Sequence, residues 1–381
     1  MVNPQSRHPL LVFADDWGRH PSSCQYLVKQ LLGRYEVYWV NTIGMRKPRL
    51  NWATMTRAFG KLSSWVRPKK KQALPEHLHV ASPRMWPWFS KKVDRRLNRW
   101  LLTRQLGKLI SRMPELPTAI TTIPIVSELI GVLPVRRWVY YCVDDFGQWP
   151  GLDQKPLREM EERLVLKADV TLAVSENLQD RISQMGGSSH LLTHGVDLAF
   201  WSTKEADAFP EVAELERPLV VFWGLLDQRM DVSFVKALST AMTSGTIVLA
   251  GPTADPDPAL WALPRVAAIG NVLLERLPTL AREAQVLVMP YADLPVTRAM
   301  QPLKLKEYLA TGKPTVVRTL PAIEPWSDCL DMAATPDEFV RAVLQRLAVG
   351  ISPEQVRARE RLAHESWAAK ANLFEQWALK P

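Results

Sequence analysis

The residue types and spacing best suited to chemistry lie in Gln301–Val317, which reads Q-P-L-K-L-K-E-Y-L-A-T-G-K-P-T-V-V. An apolar run before it ends at Pro290 and reads as a buried strand. The pattern after it predicts a helix from about Leu303 to Thr311, a stop at Gly312 and a new strand beyond Lys313-Pro314. That order is one crossover of a parallel sheet. Its polar loop and helix start fall beyond the carboxyl ends of the strands, where such sheets bind ligands. Glu307, one turn into the helix, is a carboxylate able to face a ligand held at the helix start, or an acid that simply suits the helix dipole. Two acidic pairs also end apolar runs. Asp15-Asp16 leads into Gly18 and His20, where Gly18 lets the backbone approach a phosphate or sugar. Asp16 or His20 could contact a ligand, and the pair could equally make a turn and helix cap. Asp144-Asp145 closes Arg137–Val143; adjacent carboxylates repel, so one tends to titrate high. Either could orient a hydroxyl or cap a helix.

These residues need a scaffold of alternating strands and helices, and the chain supplies one twice. In the first half, strands are expected at Pro9–Ala14, Glu36–Asn41, Thr118–Thr122, Arg137–Val143 and Val170–Val174, with helices at Cys24–Leu32, Lys91–Ile110 and Lys155–Ala168. Leu198–Arg217 is polar, acidic and without a clear period, and reads as the interdomain linker. The second half restarts with strands at Pro218–Trp223, Thr246–Ala250, Val266–Ile269, Val286–Met289 and Thr315–Arg318. Two consecutive doubly wound α/β domains follow as the expected architecture. The expected bounds are 1–200 and 210–350, with a C-terminal helix near 360–381 packing back on the first domain.

At 381 residues and 47% hydrophobic content the chain has material for two cores. Its three cysteines, Cys24, Cys142 and Cys329, are far apart and suit neither a disulfide framework nor a zinc cluster. No apolar run reaches the roughly 18 residues needed to span a bilayer, and the N-terminus does not read as a signal peptide. The expected setting is therefore the cytoplasm. Charge is uneven. Met45–Arg112 holds 18 Lys+Arg against two acids, Glu76 and Asp94, in a chain of net charge +9. Trp52, Trp65, Trp86, Trp88 and Trp100 interleave with these bases. Residues 46–112 thus read as a basic, Trp-rich insertion: a solvated face, or a contact for an anionic membrane surface or polyanionic acceptor, with interfacial tryptophans favouring the membrane. No recognition motif accompanies the charge, and no nucleic acid is expected.

Several pieces occur in the order found in one large group of enzymes. They are Tyr140–Phe146, Ala168-Asp169-Val170 with Ser175, His194-Gly195-Val196-Asp197, and Pro302-x-Lys304-x-x-Glu307-Tyr308-Leu309-Ala310-x-Gly312-Lys313-Pro314. On them the chain resembles the retaining glycosyltransferases of GT-B fold, with a divergent Glu-x7-Glu motif. The resemblance implies two Rossmann-like domains facing across a cleft, the second binding a nucleotide-sugar donor. It implies that Glu307 binds the ribose hydroxyls. The first Glu of the motif falls at Ala299 and is absent, so Arg298, Gln301 or backbone amides near Met300 are left to handle the sugar. Gly224 begins the loop that carries an Arg and a Lys for the diphosphate in relatives; Leu225 and Met230 stand there instead. Arg229 and Lys304 are the expected substitutes, aided by backbone N–H groups around Pro302 and Leu303. Asp144, Asp145, Asp16 and His20 become the candidate catalytic residues, with Asp15 and Gly18 in a loop near phosphate or acceptor.

The implied enzyme moves a hexose from a nucleotide-diphosphate sugar to a lipid-linked or polysaccharide acceptor in cell-envelope or exopolysaccharide synthesis. It would retain anomeric configuration, need neither metal nor separate cofactor, and work peripherally at the inner face of the plasma membrane. The departures at Ala299, Leu225 and Met230 leave open a catalytically inactive GT-B subunit that binds nucleotide or a partner. A sugar-nucleotide epimerase of the same fold is a third reading, disfavoured by the basic insertion.

Overall fold

The computed structural model describes residues 7–18, 22–45, 74–149, 151–203 and 209–380. The chain forms two compact units. The first holds Met1–Leu192 with Ala371–Pro381, and the second holds Thr193–Lys370.

Unit 1 is built on seven parallel strands: β1 (Pro9–Ala14), β2 (Glu36–Asn41), β3 (Leu78–Ala81), β4 (Thr118–Thr121), β5 (Arg137–Cys142), β6 (Val170–Ala173) and β7 (His190–Leu191). Their order is β3-β2-β1-β4-β5-β6-β7. β1 and β4 lie side by side, so the winding direction reverses between them, and ligand crevices form at such a reversal. β1 and β5 are apolar on both faces because helices cover both sides of the sheet. Ser22 caps the first helix, Ser23–Leu31, by accepting from the Gln25 N–H.

Unit 2 repeats the plan with β8 (Leu219–Trp223), β10 (Thr246–Ala250), β12 (Val266–Gly270), β13 (Val286–Met289), β14 (Thr315–Arg318) and β15 (Asp331–Ala333). Their order is β12-β10-β8-β13-β14-β15, and every pair is parallel. A short pair, β9 (Leu226–Asp227) with β11 (Thr253–Ala254), stands beside this sheet. The reversal here lies between β8 and β13. Two helices follow β13: a short one, Pro295–Ala299, and one spanning Leu303–Ala310, which ends where Gly312 adopts φ +74°, a conformation that favours glycine.

Three expectations need correction. Residues 198–217 are not a linker between units: Trp201, Phe209 and Val212 are buried in the core of unit 2, and the division falls earlier, at Leu192/Thr193. Sparse apolar residues in a polar stretch lack the period that announces an element. Unit 2 also runs on to Lys370, well past the expected 350, and only Ala371–Pro381 joins unit 1. There Tyr35 donates to Glu375 at 2.7 Å and Phe374 packs edge-on against Tyr141. The 46–112 segment is likewise not wholly an insertion. Its 74–112 part contributes the sheet-edge strand β3 and the helix Lys92–Ile110, and 46–73 lie outside the described residues.

Candidate functional site

At the reversal point of unit 2 the backbone is bare. Gly224 follows β8 and Gly251 follows β10, both at φ +144°. A Cβ on Gly251 would stand 1.9 Å from the Gly224 carbonyl oxygen, so this close approach of two chains requires glycine. Above Gly224 lies the Lys304 ammonium, 2.7 Å from where a Gly224 Cβ would be. Lys304 is the second residue of the helix Leu303–Ala310. Its ammonium donates to the hydroxyl of Tyr291, which stands just past the end of β13. It also lies over the rings of Tyr291, at 5.0 Å, and Phe222, at 5.5 Å. Tyr291 and Phe222 thus hold one cation beside glycine backbone at the carboxyl ends of the two central strands.

Arg229 flanks the same tyrosine, with its guanidinium 5.8 Å from the Tyr291 ring. It is buried, and its Nε donates to both Asp227 carboxylate oxygens at 3.0 and 3.1 Å. Its Nη1 lies 3.7 Å from the Met300 sulfur. Arg229 therefore carries a local counter-ion that Lys304 does not.

Glu307 points from the next turn of the Lys304 helix and is buried. Among the described residues no cation pairs with it at ion-pair distance. Burial pushes its carboxyl up to about 7, with Lys304 and the Trp223 indole pulling the other way. The indole Nε1–H is itself buried and has no hydrogen-bond partner of ordinary length. Trp223 is fixed from behind: its ring stacks on Trp201 at 5.5 Å and 8°, and its main-chain N–H donates to the Tyr308 hydroxyl at 3.0 Å. A buried carboxylate and a buried indole donor close together can take one hydroxyl-bearing ligand between them.

Other candidates have more local tasks. Gln301 is buried, and its Oε1 accepts from the His194 main-chain N–H at 2.6 Å, so that oxygen holds the first strand-like residues of unit 2 in place. Lys306, next to Glu307, is buried and bonds Glu365 and the His194 carbonyl; burial lowers its ammonium to about 8. His194 is driven down to about 3 by burial and the nearby lysine, so its ring is neutral at ordinary pH. Arg298 is exposed and pairs with Asp293 at 2.6 and 2.9 Å. Pro302 caps the Lys304 helix and Leu303 is its first residue.

In unit 1 Asp15 and Asp16 follow β1, and the Asp15 carbonyl accepts from the Trp39 indole at 2.9 Å. Gly18, at φ +73°, is exposed and donates its N–H to Gln25 at 3.1 Å. His20 lies outside the described residues. Asp144 is half-buried at the end of β5. Asp145 is almost fully buried and ion-paired with Arg181 at 3.2 Å. The same guanidinium holds the fully buried Glu161, which also accepts from the Tyr140 hydroxyl at 2.9 Å. Burial lifts the Asp145 carboxyl to about 6 despite Arg181, and its Oδ1 has no hydrogen-bond partner. Of the two roles its sequence position allows, orienting a hydroxyl or capping a helix, Asp145 shows neither directly: it is ion-paired with Arg181 beside Glu161. Sequence reasoning overlooked Tyr291, Trp223 and Gly251, of which Tyr291 alone gave a local signal, standing one residue past a strand-ending proline.

Two parallel, doubly wound sheets of this order define the GT-B fold of glycosyltransferases, and the chain has that fold. It matches a sucrose-phosphate synthase of Thermosynechococcus elongatus with TM-score 0.71 and 15% identity, covering 97% of this chain and 98% of that one. It matches Alr3699/HepE of Anabaena, solved with UDP and glucose, with TM-score 0.65 and 13% identity over 97% and 98%. A UDP-forming α,α-trehalose-phosphate synthase of Burkholderia xenovorans gives TM-score 0.66 and 12% identity over 98% and 99%. By sequence the chain is similar to TuaH of Bacillus subtilis (strain 168), which bears the name of a teichuronic acid biosynthesis glycosyltransferase, at 25% identity over 178 residues. That match spans 44% of this chain and 45% of TuaH, less than half of either. No protein-family model matches.

Proposed function

We propose that the protein is a glycosyltransferase that moves a hexose from a nucleotide-diphosphate sugar to a lipid-linked or polysaccharide acceptor in cell-envelope or exopolysaccharide synthesis. The observation that carries this reading is the pairing of an ion-pair-free, buried Glu307 with the Lys304 ammonium beside Gly224, both on one helix at the reversal point of unit 2. Glu307 accepts the two ribose hydroxyls, each bond contributing roughly 1.5–3 kcal/mol when charge-assisted and shielded. Lys304 and the N–H groups at the Leu303 helix start meet the diphosphate and stabilise it as it departs, without a metal. Arg229, neutralised in part by Asp227, adds positive potential behind Tyr291. Asp16, after β1, and Asp144, half-buried at the end of β5, are the unit 1 acids that orient the acceptor. The HepE complex with UDP and glucose supports a nucleotide-sugar donor, and the teichuronic acid in the name of TuaH supports a glycan acceptor. Retention of configuration follows the resemblance to retaining enzymes. The protein works at the inner face of the plasma membrane, engaged through its basic, Trp-rich segment 46–112.

The absence of the first motif acid at Ala299 favours one competing reading, a GT-B subunit that binds nucleotide without turnover. A screen of UDP-, GDP-, ADP- and dTDP-hexoses, reading released nucleotide in the presence of membrane-extracted acceptor, separates them. Release with one donor supports the transferase. Thermal stabilisation by a nucleotide with no release under any donor supports the binding subunit, and neither response sinks both.

A further inference from the structure

The helix Lys92–Ile110 carries two apolar stripes. One, with Leu102, Leu106 and Ile110, is buried in unit 1. The other faces away from it. At 3.6 residues per turn, Val93, Leu97, Trp100 and Arg104 fall within about 60° of one another on the opposite side. Val93 is 71% exposed, Trp100 58% and Leu97 37%. An outward apolar stripe has no role in the core and costs hydration free energy while uncovered. Arg96 and Lys108 border it, both exposed, and the Arg104 guanidinium lies over the Trp100 ring at 5.9 Å.

A second aromatic feature is pinned beside this helix. Trp86 and Trp88 are 40% and 38% exposed, with ring centroids 4.8 Å apart. The Asn98 amide donates to the carbonyls of both, at 3.0 Å each, and Asn98 Oδ1 accepts from the Trp86 main-chain N–H at 2.7 Å. The helix's one acid, Asp94, accepts from the Trp86 indole at 3.0 Å and from the Lys91 N–H at 3.1 Å. The tryptophan pair is therefore held in place before any partner arrives, with the helix's one acid serving as part of that anchor.

We infer that the outward stripe Val93-Leu97-Trp100, with Trp86 and Trp88 beside it, is the surface of unit 1 that lies on an anionic lipid bilayer. This rests on the peripheral-membrane part of the proposed function and narrows it to named side chains. Charge selects the occupant. A second copy docking through the same face would oppose two rows of cations, whereas anionic headgroups complement them. The mixture of a narrow apolar stripe, flanking bases and interfacial tryptophans is what an in-plane helix needs. No described helix is long and apolar enough to cross a membrane.

The test is flotation of the full chain with vesicles of phosphatidylcholine plus phosphatidylglycerol, and with phosphatidylcholine alone. The wild type should float with the first and not the second, and added salt should release it. Val93→Glu with Trp100→Glu should abolish flotation while leaving the melting temperature in place, because both side chains are exposed. Arg96→Gln with Lys108→Gln should weaken it, by roughly fivefold per cation. Wild-type recovery from both double variants would overturn the inference, as would equal binding to both vesicles. So would light scattering that showed the first pair of substitutions converting a dimer to a monomer, since the face would then belong to a second copy. Nucleotide affinity, measured on the same preparations, reports unit 2 separately: vesicle binding without nucleotide binding would refute the donor site and leave this surface standing.

Discussion

Asp145 in unit 1 and Glu307 in unit 2 are both buried carboxylates close behind a central strand, and burial raises both, to about 6 and about 7. Their neighbours differ. Asp145 shares the Arg181 guanidinium with Glu161, in a cluster tied to Tyr140. Glu307 has a cation on its own helix that bonds Tyr291 instead, and an indole donor left without an ordinary partner. A carboxylate with its counter-ion in place is tied into the fold, and the fold depends on that cation staying. One held in a half-furnished polar niche is set up for a ligand that completes it.

The largest expected effect breaks the unit 1 side of this contrast. Arg181→Ala leaves Asp145 and Glu161 buried without their cation, which costs about 3–5 kcal/mol. In a scanning calorimeter that should lower the melting temperature by roughly 6–20 °C, while nucleotide affinity of the folded protein stays unchanged. Loss of affinity with no loss of stability would reverse the roles assigned to the two units. A smaller effect is expected from Lys304→Ala, which should weaken nucleoside diphosphate binding by about 1.5–3 kcal/mol and leave free nucleoside binding as it was. Equal losses for both ligands would move the diphosphate elsewhere.

The third effect is on pH dependence. A protonated Glu307 can no longer accept two hydroxyls, so nucleotide affinity should fall as pH drops through about 7, by up to tenfold per unit. Stability runs the other way. The folded carboxyl holds its proton more tightly than the unfolded one, whose ordinary value is 4.5. The stabilisation from the protonated group is complete below that value and is lost as pH rises through about 7. Affinity profiles of wild type and Glu307→Gln separate this group from others, because the variant should show no step there.

Most of the scaffold was legible before any coordinates. Strong β-branched runs such as Thr246–Ala250 and Val286–Met289, and the Gly312 stop, announced themselves by period and punctuation, and these strands keep their expected bounds. β3 (Leu78–Ala81) carries no apolar run, because it lies at the sheet edge with His79 exposed in its middle. Residues 198–217 were misread because Trp201 and Phe209 are buried singly among polar neighbours. At the candidate site, Glu307 and Lys304 could be named from their place on a helix. Tyr291 could not, since its partner Lys304 lies 13 positions on, beyond the short helix Pro295–Ala299, and Trp223 meets Tyr308 across 85. Which acid already has a counter-ion is a tertiary fact. Nothing near Asp145 in sequence disclosed that Arg181, on the helix after β6, would claim it.

The central claim is that Glu307 is the ribose-binding carboxylate of a donor site, and calorimetric titration of Glu307→Gln against wild type tests it most directly. With UDP, GDP, ADP and dTDP as ligands, wild type should bind at least one, and the variant should bind that one about 10–100-fold more weakly with a melting temperature no lower than that of wild type. Equal affinities of the two proteins for every nucleotide in the set would contradict the account.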